Sequence, residues 1–134
     1  MAKNTAFTLL ELLIVVVIIG VLGTLAINMF GPARENALNS EAEANLKLIL
    51  GAERILRMES GNYYASTAPH ETNINTTLRV YLPVAANRNW LYRTFANNAA
   101  DPQTCCVQAQ RNGVDNRTWR LRNTEDDPIR GVCP

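Results

Sequence analysis

The sequence predicts an α+β fold in which a long N-terminal α-helix packs on a small antiparallel β-sheet. Residues 7–30 form one apolar stretch, and residues 33–58 repeat apolar side chains every three or four positions. Three short runs in the second half of the chain have the composition of strands. Spacing of three or four indicates a helix, whereas short apolar runs bounded by turn residues indicate strands.

Length, charge and hydropathy divide the chain into four parts. It has 134 residues and a formal net charge of +1, so no global field points to nucleic acid or to an acidic substrate. We assign residues 1–6 to a polar leader, 7–30 to a hydrophobic membrane-spanning helix, 31–59 to an amphipathic helix and 60–134 to a small antiparallel-sheet domain.

The apolar stretch is long enough to cross a bilayer of roughly 30 Å as a helix, and Lys3 before it fits a cytoplasmic leader. Gly20 and Gly23 lower helix propensity but allow another helix to approach closely. Glu11 is the one charged residue of the stretch. A charged group in a membrane helix costs about 2.5–3.5 kcal/mol on insertion scales, so Glu11 requires a physical reason.

A second helical pattern follows Gly31 and Pro32, where Pro32 either opens a new helix or kinks a continuous one. Its apolar residues step by three or four and define one stripe: Leu38, Ala42, Leu46, Ile49, Ala52 and Leu56. Glu53 precedes Arg57 at the spacing of a favourable surface ion pair. Gly61 is the expected left-handed cap that ends the helix.

The rest of the chain predicts loops and a small sheet. Residues 63–89 are expected to be loop-rich, and residues 125–134 are expected to form a closing loop. Asn112 and Gly113 together form a hairpin turn signal. Strands are expected at 105–110 and 118–122, which flank this turn, and a further strand is expected earlier in the chain at 90–95.

Three cysteines lie in the polar half of the chain: Cys105, Cys106 and Cys133. A membrane segment followed by a polar domain suggests export, and export makes disulfides possible. Because the number is odd, at most one intramolecular bridge can form. We expect Cys133 to pair with Cys105 or Cys106 and to tie down the C-terminus, since a bond between the adjacent pair would be strained.

The sequence FTLLELLIVV at residues 7–16 resembles the class III signal of type IV pilins and of type II secretion pseudopilins. The resemblance implies a type IV pilin-like fold, cleavage between Ala6 and Phe7 by a prepilin peptidase, and N-methylation of Phe7. It also implies that assembly depends on Phe7, Glu11, Gly20, Gly23, Asn28 and Pro32. This chain has Ala6 where the family has Gly, and Asn28 where the family usually has Pro. These departures bear on the rate of cleavage and on helix bending, because Asn keeps the N–H that Pro lacks.

Cleavage between Ala6 and Phe7 would explain why the charged residue Glu11 lies in the apolar stretch. It would create a cationic amine on Phe7, one helical turn before Glu11. In a helix bundle, the Glu11 carboxylate of one subunit can then meet the Phe7 amine of a neighbour. Opposite charges about 4 Å apart attract by about 4 kcal/mol at an effective dielectric constant of about 20, which is comparable to the insertion penalty.

The resemblance implies a structural subunit, a major pilin, with no catalytic activity. Such a subunit is stored in the bacterial inner membrane and polymerises, with the assembly machinery, into an extracellular helical filament of identical subunits. One alternative is the major pseudopilin of a type II secretion system, which forms a short periplasmic filament. Another is a membrane-anchored binding domain that never polymerises.

Catalytic and metal patterns are weak. His70 is the one histidine, and the sequence has no Gly-rich phosphate loop, zinc spacing or nucleophile elbow. Glu125, Asp126 and Asp127 form an acidic cluster that could bind calcium, as major pseudopilins do in their C-terminal loops. The cluster lacks the alternating spacing of a ligand loop, which favours a solvated turn. We therefore expect no cofactor, with calcium as the alternative.

Arginines accumulate in the second half together with aromatic residues, a pattern that can bind DNA. Along the strand predicted at 118–122, Arg120 and Arg122 alternate with Trp119 and Leu121. Such alternation is typical of a strand with one packed side and one solvent-facing side. We therefore favour a structural role for these arginines over nucleic-acid binding.

Overall fold

The computed structural model describes residues 7–66, 71–84, 88–100, 102–113 and 115–134, without the side chains at 25–29. The chain divides into two compact units, Met1–Ala37 and Leu38–Pro134. The elements follow one another as α1 (Leu9–Ser60), α2 (Glu71–Leu78), β1 (Trp90–Asn97), β2 (Thr104–Arg111), β3 (Thr118–Arg122) and β4 (Ile129–Arg130).

Helix α1 continues through Pro32 instead of restarting there. Pro32 has no N–H to donate to the carbonyl of residue 28, and an interior proline costs about 3 kcal/mol. Gly31 and Pro32 are both exposed. The expected division between residues 30 and 31 is thus a change of side-chain pattern within one helix.

The end of α1 has the glycine cap that the sequence predicts. Gly61 has a φ of +81°, and its N–H donates to the Arg57 carbonyl oxygen at 2.8 Å. Glycine suits this left-handed conformation because it has no Cβ. The Ser60 hydroxyl also donates to the Leu56 carbonyl oxygen at 2.9 Å, so two of the last carbonyls of the helix are satisfied.

The sheet is antiparallel, with the strand order β1-β2-β3-β4. This confirms the predicted α+β fold of a long helix and a small antiparallel sheet. The predicted strands all fall within β1, β2 and β3. The prediction of a closing loop over residues 125–134 is wrong at β4, where Ile129 pairs with Arg120 and Arg130 with Trp119. Two residues are too few to give a periodic signal in the sequence.

Helix α2 lies in a region predicted to be loop-rich, which corrects that prediction. Its sequence ETNINTTL has one apolar pair, Ile74 and Leu78, and both side chains are buried. Its Asn and Thr residues have low helix propensity, which hides the helix in the sequence. Asn75 fixes the segment that follows, because its Nδ2 donates to Leu82 O at 2.9 Å and its Oδ1 accepts the Leu82 N–H at 2.8 Å.

The core of the Leu38–Pro134 unit lies between α1 and the sheet. Four residues of the predicted stripe are buried, namely Leu38, Ala42, Leu46 and Ile49, and the other two are half-buried. Residues of the sheet complete this core: Trp90, Tyr92, Val107, Ala109 and Leu121. The Trp90 indole N–H donates to the Leu38 carbonyl oxygen at 2.9 Å. The Asn45 amide donates to the Tyr92 hydroxyl at 2.8 Å, so polar groups in this core are paired.

Glu53 does not form the surface ion pair predicted with Arg57. Its side chain is fully buried, and its Oε2 accepts the Tyr64 N–H at 2.8 Å. Arg57 instead donates to the Gln103 side chain at 3.1 Å. Glu53 follows Ile49 by four residues and therefore lies on the buried side of α1, where the i,i+4 rule for exposed pairs does not apply.

Candidate assembly surface

Thr8 caps the start of α1 and fixes where Glu11 lies. The Glu11 N–H donates to Thr8 Oγ1 at 3.2 Å and to Thr8 O at 3.1 Å, and the Leu12 N–H donates to Thr8 O at 3.2 Å. Thr8 is therefore the N-cap residue and Glu11 is the third residue of the helix. Sequence reasoning missed this cap, although Thr followed three residues later by Glu is the pattern of a capping box.

Glu11 is exposed in the first turn of α1. The N-terminal end of a helix has a partial positive charge, which stabilises a carboxylate at this position. Glu11 is also the one charged residue between positions 7 and 24. The carboxylate therefore contributes to the helix start and is accessible to a cationic partner.

The described side chains of residues 7–24 are exposed throughout. Leu9 is 86% exposed, Phe7 73% and Leu22 60%. Contiguous apolar surface of this extent is rare on soluble monomers and indicates a surface that another molecule covers. Within the residues that the structure describes, no helix combines the length and hydropathy of a membrane span.

The structure describes three of the other predicted assembly residues, Gly20, Gly23 and Pro32. Gly20 and Gly23 have no neighbouring heavy atom within 4 Å of the point where a Cβ would lie. Their backbone is therefore accessible to another helix. Pro32 is exposed within α1. The side chain of Asn28 lies outside the described residues, as does the leader with the predicted cut after Ala6.

Two comparisons with known proteins found a similarity. Residues 1–27 match the family model of the prokaryotic N-terminal methylation motif. The chain is also 41% identical over 61 residues to the type IV major pilin protein PilA of Myxococcus xanthus (strain DK1622). The chain is thus similar to type IV pilins. The alignment covers 46% of this chain and 28% of that relative, so the chain spans less than a third of the relative's length. No solved structure matches the chain significantly.

A disulfide between Cys106 and Cys133 ties the C-terminus of the chain to β2. The sequence left two partners open for Cys133, and the structure has Cys106. Cys105 is a free, buried cysteine, and burial raises the pKa of its thiol to about 12. The Cys105 thiol is therefore a neutral group of the core, since the thiolate is the reactive form of cysteine.

Two residues of the C-terminal acidic cluster, Glu125 and Asp127, bind basic groups of the same fold. Glu125 Oε1 accepts Arg120 at 2.9 Å, and Glu125 Oε2 accepts the Arg122 backbone N–H at 3.0 Å. Asp127 pairs with Lys47 of α1 at 2.7 Å. In the described part of the chain, no group of three or more His, Cys, Asp or Glu residues could hold a metal ion. These acids connect the C-terminal loop to β3 and α1.

Arginines of this chain pack on aromatic rings of the same unit. The Arg111 guanidinium carbon lies 5.4 Å from the Trp90 ring centroid, and that of Arg130 lies 5.5 Å from the Trp119 ring centroid. Cations at this distance from an aromatic face are attracted by the ring quadrupole. The arginine and aromatic pattern thus contributes to the fold. His70 lies outside the described residues.

Proposed function

We propose that this chain is a major pilin, the structural subunit of a type IV pilin-like filament. The observation that carries the proposal is the exposed apolar helix of residues 9–24, which lies within the methylation motif and has Glu11 in its first turn. Such a surface is stable in a bilayer or against other apolar helices. Storage in the inner membrane, which we infer from the sequence of residues 7–30, covers this surface with lipid. Polymerisation through the same helix then covers it with the helices of neighbouring subunits.

Processing prepares the helix for polymerisation in this proposal. A prepilin peptidase removes residues 1–6 and methylates Phe7, which leaves a cationic amine at the new N-terminus. Thr8 caps the helix and holds Glu11 one turn away from that amine. The amine of one subunit then pairs with the Glu11 carboxylate of its neighbour while the assembly machinery moves subunits out of the membrane. The charge that is costly in a lone membrane helix thereby stabilises the contact between subunits.

We favour an extracellular pilus over a periplasmic pseudopilus of type II secretion. The named relative is a type IV major pilin. In addition, two acids that a pseudopilin-type calcium site would use are paired in this fold, Glu125 with Arg120 and Asp127 with Lys47. Long filaments in shear fractions from intact cells would support the pilus.

Two experiments test the proposal. N-terminal sequencing and mass spectrometry of the mature chain should give methylated Phe7 as the first residue, and any other mature start contradicts the processing step. In a strain that lacks the wild-type copy, Glu11→Ala should reduce filament yield at least tenfold. Asp126→Ala is the control, since it removes an exposed acid from the C-terminal loop. Normal filaments from Glu11→Ala would overturn the role of Glu11.

A further inference from the structure

A groove of about 520 Å³ lies at the end of the sheet where β1 ends and β2 begins, and we call it the β1–β2 groove. Phe95, Cys106 and Arg122 line it. Phe95 pairs with Cys106, and Cys106 pairs with Arg122, so the three side chains form a row on one side of the sheet. The next residue of β2, Val107, belongs to the core, so the row lies on the side that faces away from α1. Sites for small molecules typically have volumes of about 300–1,000 Å³.

The walls of the β1–β2 groove are held in place by the fold. Pro134 lines the groove and directly follows Cys133, which is bonded to Cys106. Ser66 lines another part of it, and the Ser66 N–H donates to the Thr94 carbonyl oxygen of β1 at 2.9 Å. The groove is therefore formed before any ligand binds. Binding to such a site requires little ordering of the protein, which favours affinity.

Much of the lining of the β1–β2 groove is apolar. The Phe95 side chain is half-buried, so part of its aromatic ring is accessible from the groove. Aromatic rings and small apolar side chains favour a ligand with an apolar body. The apolar residues of the lining are Ala65, Phe95, Ala96, Cys106 and Pro134.

Arg122 is the one charged side chain among the described residues that line the β1–β2 groove. Its Nε lies 4.0 Å from Glu125 Oε1 and has no hydrogen-bond partner. The Glu125 carboxylate is already engaged, because Oε1 accepts Arg120 at 2.9 Å and Oε2 accepts the Arg122 backbone N–H at 3.0 Å. The Arg122 side chain is also 39% exposed. Its guanidinium therefore has donors that a further acceptor can use.

Arg93 adds a second cation on the same side of the sheet. It precedes Phe95 by two residues on β1, so both side chains lie on that side. Arg93 Nε is buried and has no hydrogen-bond partner. Together with Arg122, this side chain favours an anionic group over a neutral or cationic one at this side of the sheet.

We propose that the β1–β2 groove binds small organic acids, which are molecules with one carboxylate and an apolar body. The carboxylate pairs with the Arg122 guanidinium, whose planar donors match two carboxylate oxygens at once. The apolar body lies against Phe95 and Pro134, where it is removed from water. The groove is built by one copy of the chain, so this binding does not depend on the proposed filament.

Binding of cinnamate to the full chain in neutral detergent tests the proposal, with the chemical shifts of backbone amides as the measurement. The amides of Phe95, Cys106 and Thr124 should shift and reach saturation. Cinnamamide, a neutral molecule of the same shape, should bind at least fivefold more weakly. Shifts that do not saturate at these amides contradict the site, and equal affinity for the two molecules contradicts the ion pair.

Substitution of Arg122 gives a second test. Arg122→Gln should weaken cinnamate binding at least fivefold and leave cinnamamide binding unchanged, whereas Arg122→Lys keeps the charge and should retain a preference for cinnamate. Arg130→Gln is the matched control and should bind like the wild type, because Arg130 is an exposed arginine of β4 outside the lining. Equal binding of cinnamate by Arg122→Gln and the wild type would overturn the proposal, as would equal weakening in Arg122→Gln and Arg130→Gln.

Filling the groove separates binding inside it from binding to surface charge. Ala65 lines the groove at an exposed position, so Ala65→Trp should occupy the space and keep the circular dichroism spectrum and the disulfide. Both cinnamate and cinnamamide should then bind at least fivefold more weakly. Unchanged binding of both molecules to Ala65→Trp would place them outside the groove and contradict the proposal. The comparison of the two molecules on the wild type tests the proposal even where a variant does not fold.

Discussion

The Glu53 carboxylate accepts the backbone N–H of Tyr64, with Oε2 2.8 Å from the nitrogen. This bond joins the last turns of α1 to the segment that leaves the helix. Burial raises the pKa of Glu53 to about 7, although hydrogen bonds from Tyr64 and Thr94 favour its charged form. Glu53 therefore holds a proton in the folded chain at pH values where an exposed glutamate has lost it.

The free energy of unfolding should decrease as the pH rises from about 4.5 to about 7. The pKa of Glu53 is higher in the folded state than in the unfolded state, so the folded state binds the proton more tightly. The resulting stability is complete below the unfolded pKa and is lost as the pH rises through the folded pKa. A shift of this size corresponds to about 3 kcal/mol. Urea unfolding of the full chain in detergent, at about pH 5 and about pH 8, measures it.

Glu53→Gln should remove most of this pH dependence, because glutamine is neutral throughout the range and keeps an oxygen that can accept the Tyr64 N–H. Glu59→Gln is the matched control, since Glu59 is an exposed acid of the same helix. It should retain the wild-type dependence. An equal pH dependence in Glu53→Gln and the wild type would mean that other groups are responsible.

Loss of the Cys106–Cys133 bond should destabilise the Leu38–Pro134 unit. The bridge joins residues 27 apart in sequence, and closing a loop of that size restricts the unfolded chain. The chain-entropy relation gives about 3–4 kcal/mol for such a loop. Replacement of both cysteines by alanine should lower the free energy of unfolding by about this amount, measured by urea unfolding in detergent. Reduction of the wild type should have a similar effect, and an unchanged urea midpoint in both cases contradicts the prediction.

Repeats of apolar residues predicted the parts of the fold that depend on many residues at once. The stripe from Leu38 to Leu56 indicated both the helix and its buried side, because burial of an apolar face follows its spacing. Helix α2 could not be predicted in this way, since its stability depends on burial of Ile74 and Leu78 and on the clamp from Asn75 to Leu82. These are tertiary contacts, which local propensity does not report.

The candidate assembly surface was predictable in a different way. Glu11 and the glycines of the N-terminal helix were identified from a motif, and Thr8 could have been found from the capping pattern. Leu48 and Ile55 lie outside the predicted stripe, and their exposure is known only from the structure.

Asn75→Ala should free the segment around Leu82. The Asn75 side chain donates to the Leu82 carbonyl and accepts its N–H, and Leu82 is buried, so truncation leaves two backbone groups without partners. Such a loss costs about 1–3 kcal/mol. Hydrogen exchange should show faster exchange of the Leu82 amide by roughly tenfold or more. Asn73→Ala, at an exposed position of the same helix, should leave this amide unchanged, and equal protection in both variants contradicts the clamp.

Thr8→Ala should loosen the first turn of α1. Loss of a Thr cap costs about 1 kcal/mol, because the Glu11 N–H loses its side-chain acceptor. Exchange of the Glu11 amide in detergent-solubilised chain should therefore become roughly fivefold faster. Thr8→Ser keeps the hydroxyl and should exchange like the wild type. If Thr8→Ala leaves that amide as protected as in the wild type, the cap does not hold Glu11 in place. In that case Thr8→Ala should also assemble normally, because only a cap that positions the carboxylate links Thr8 to filament yield.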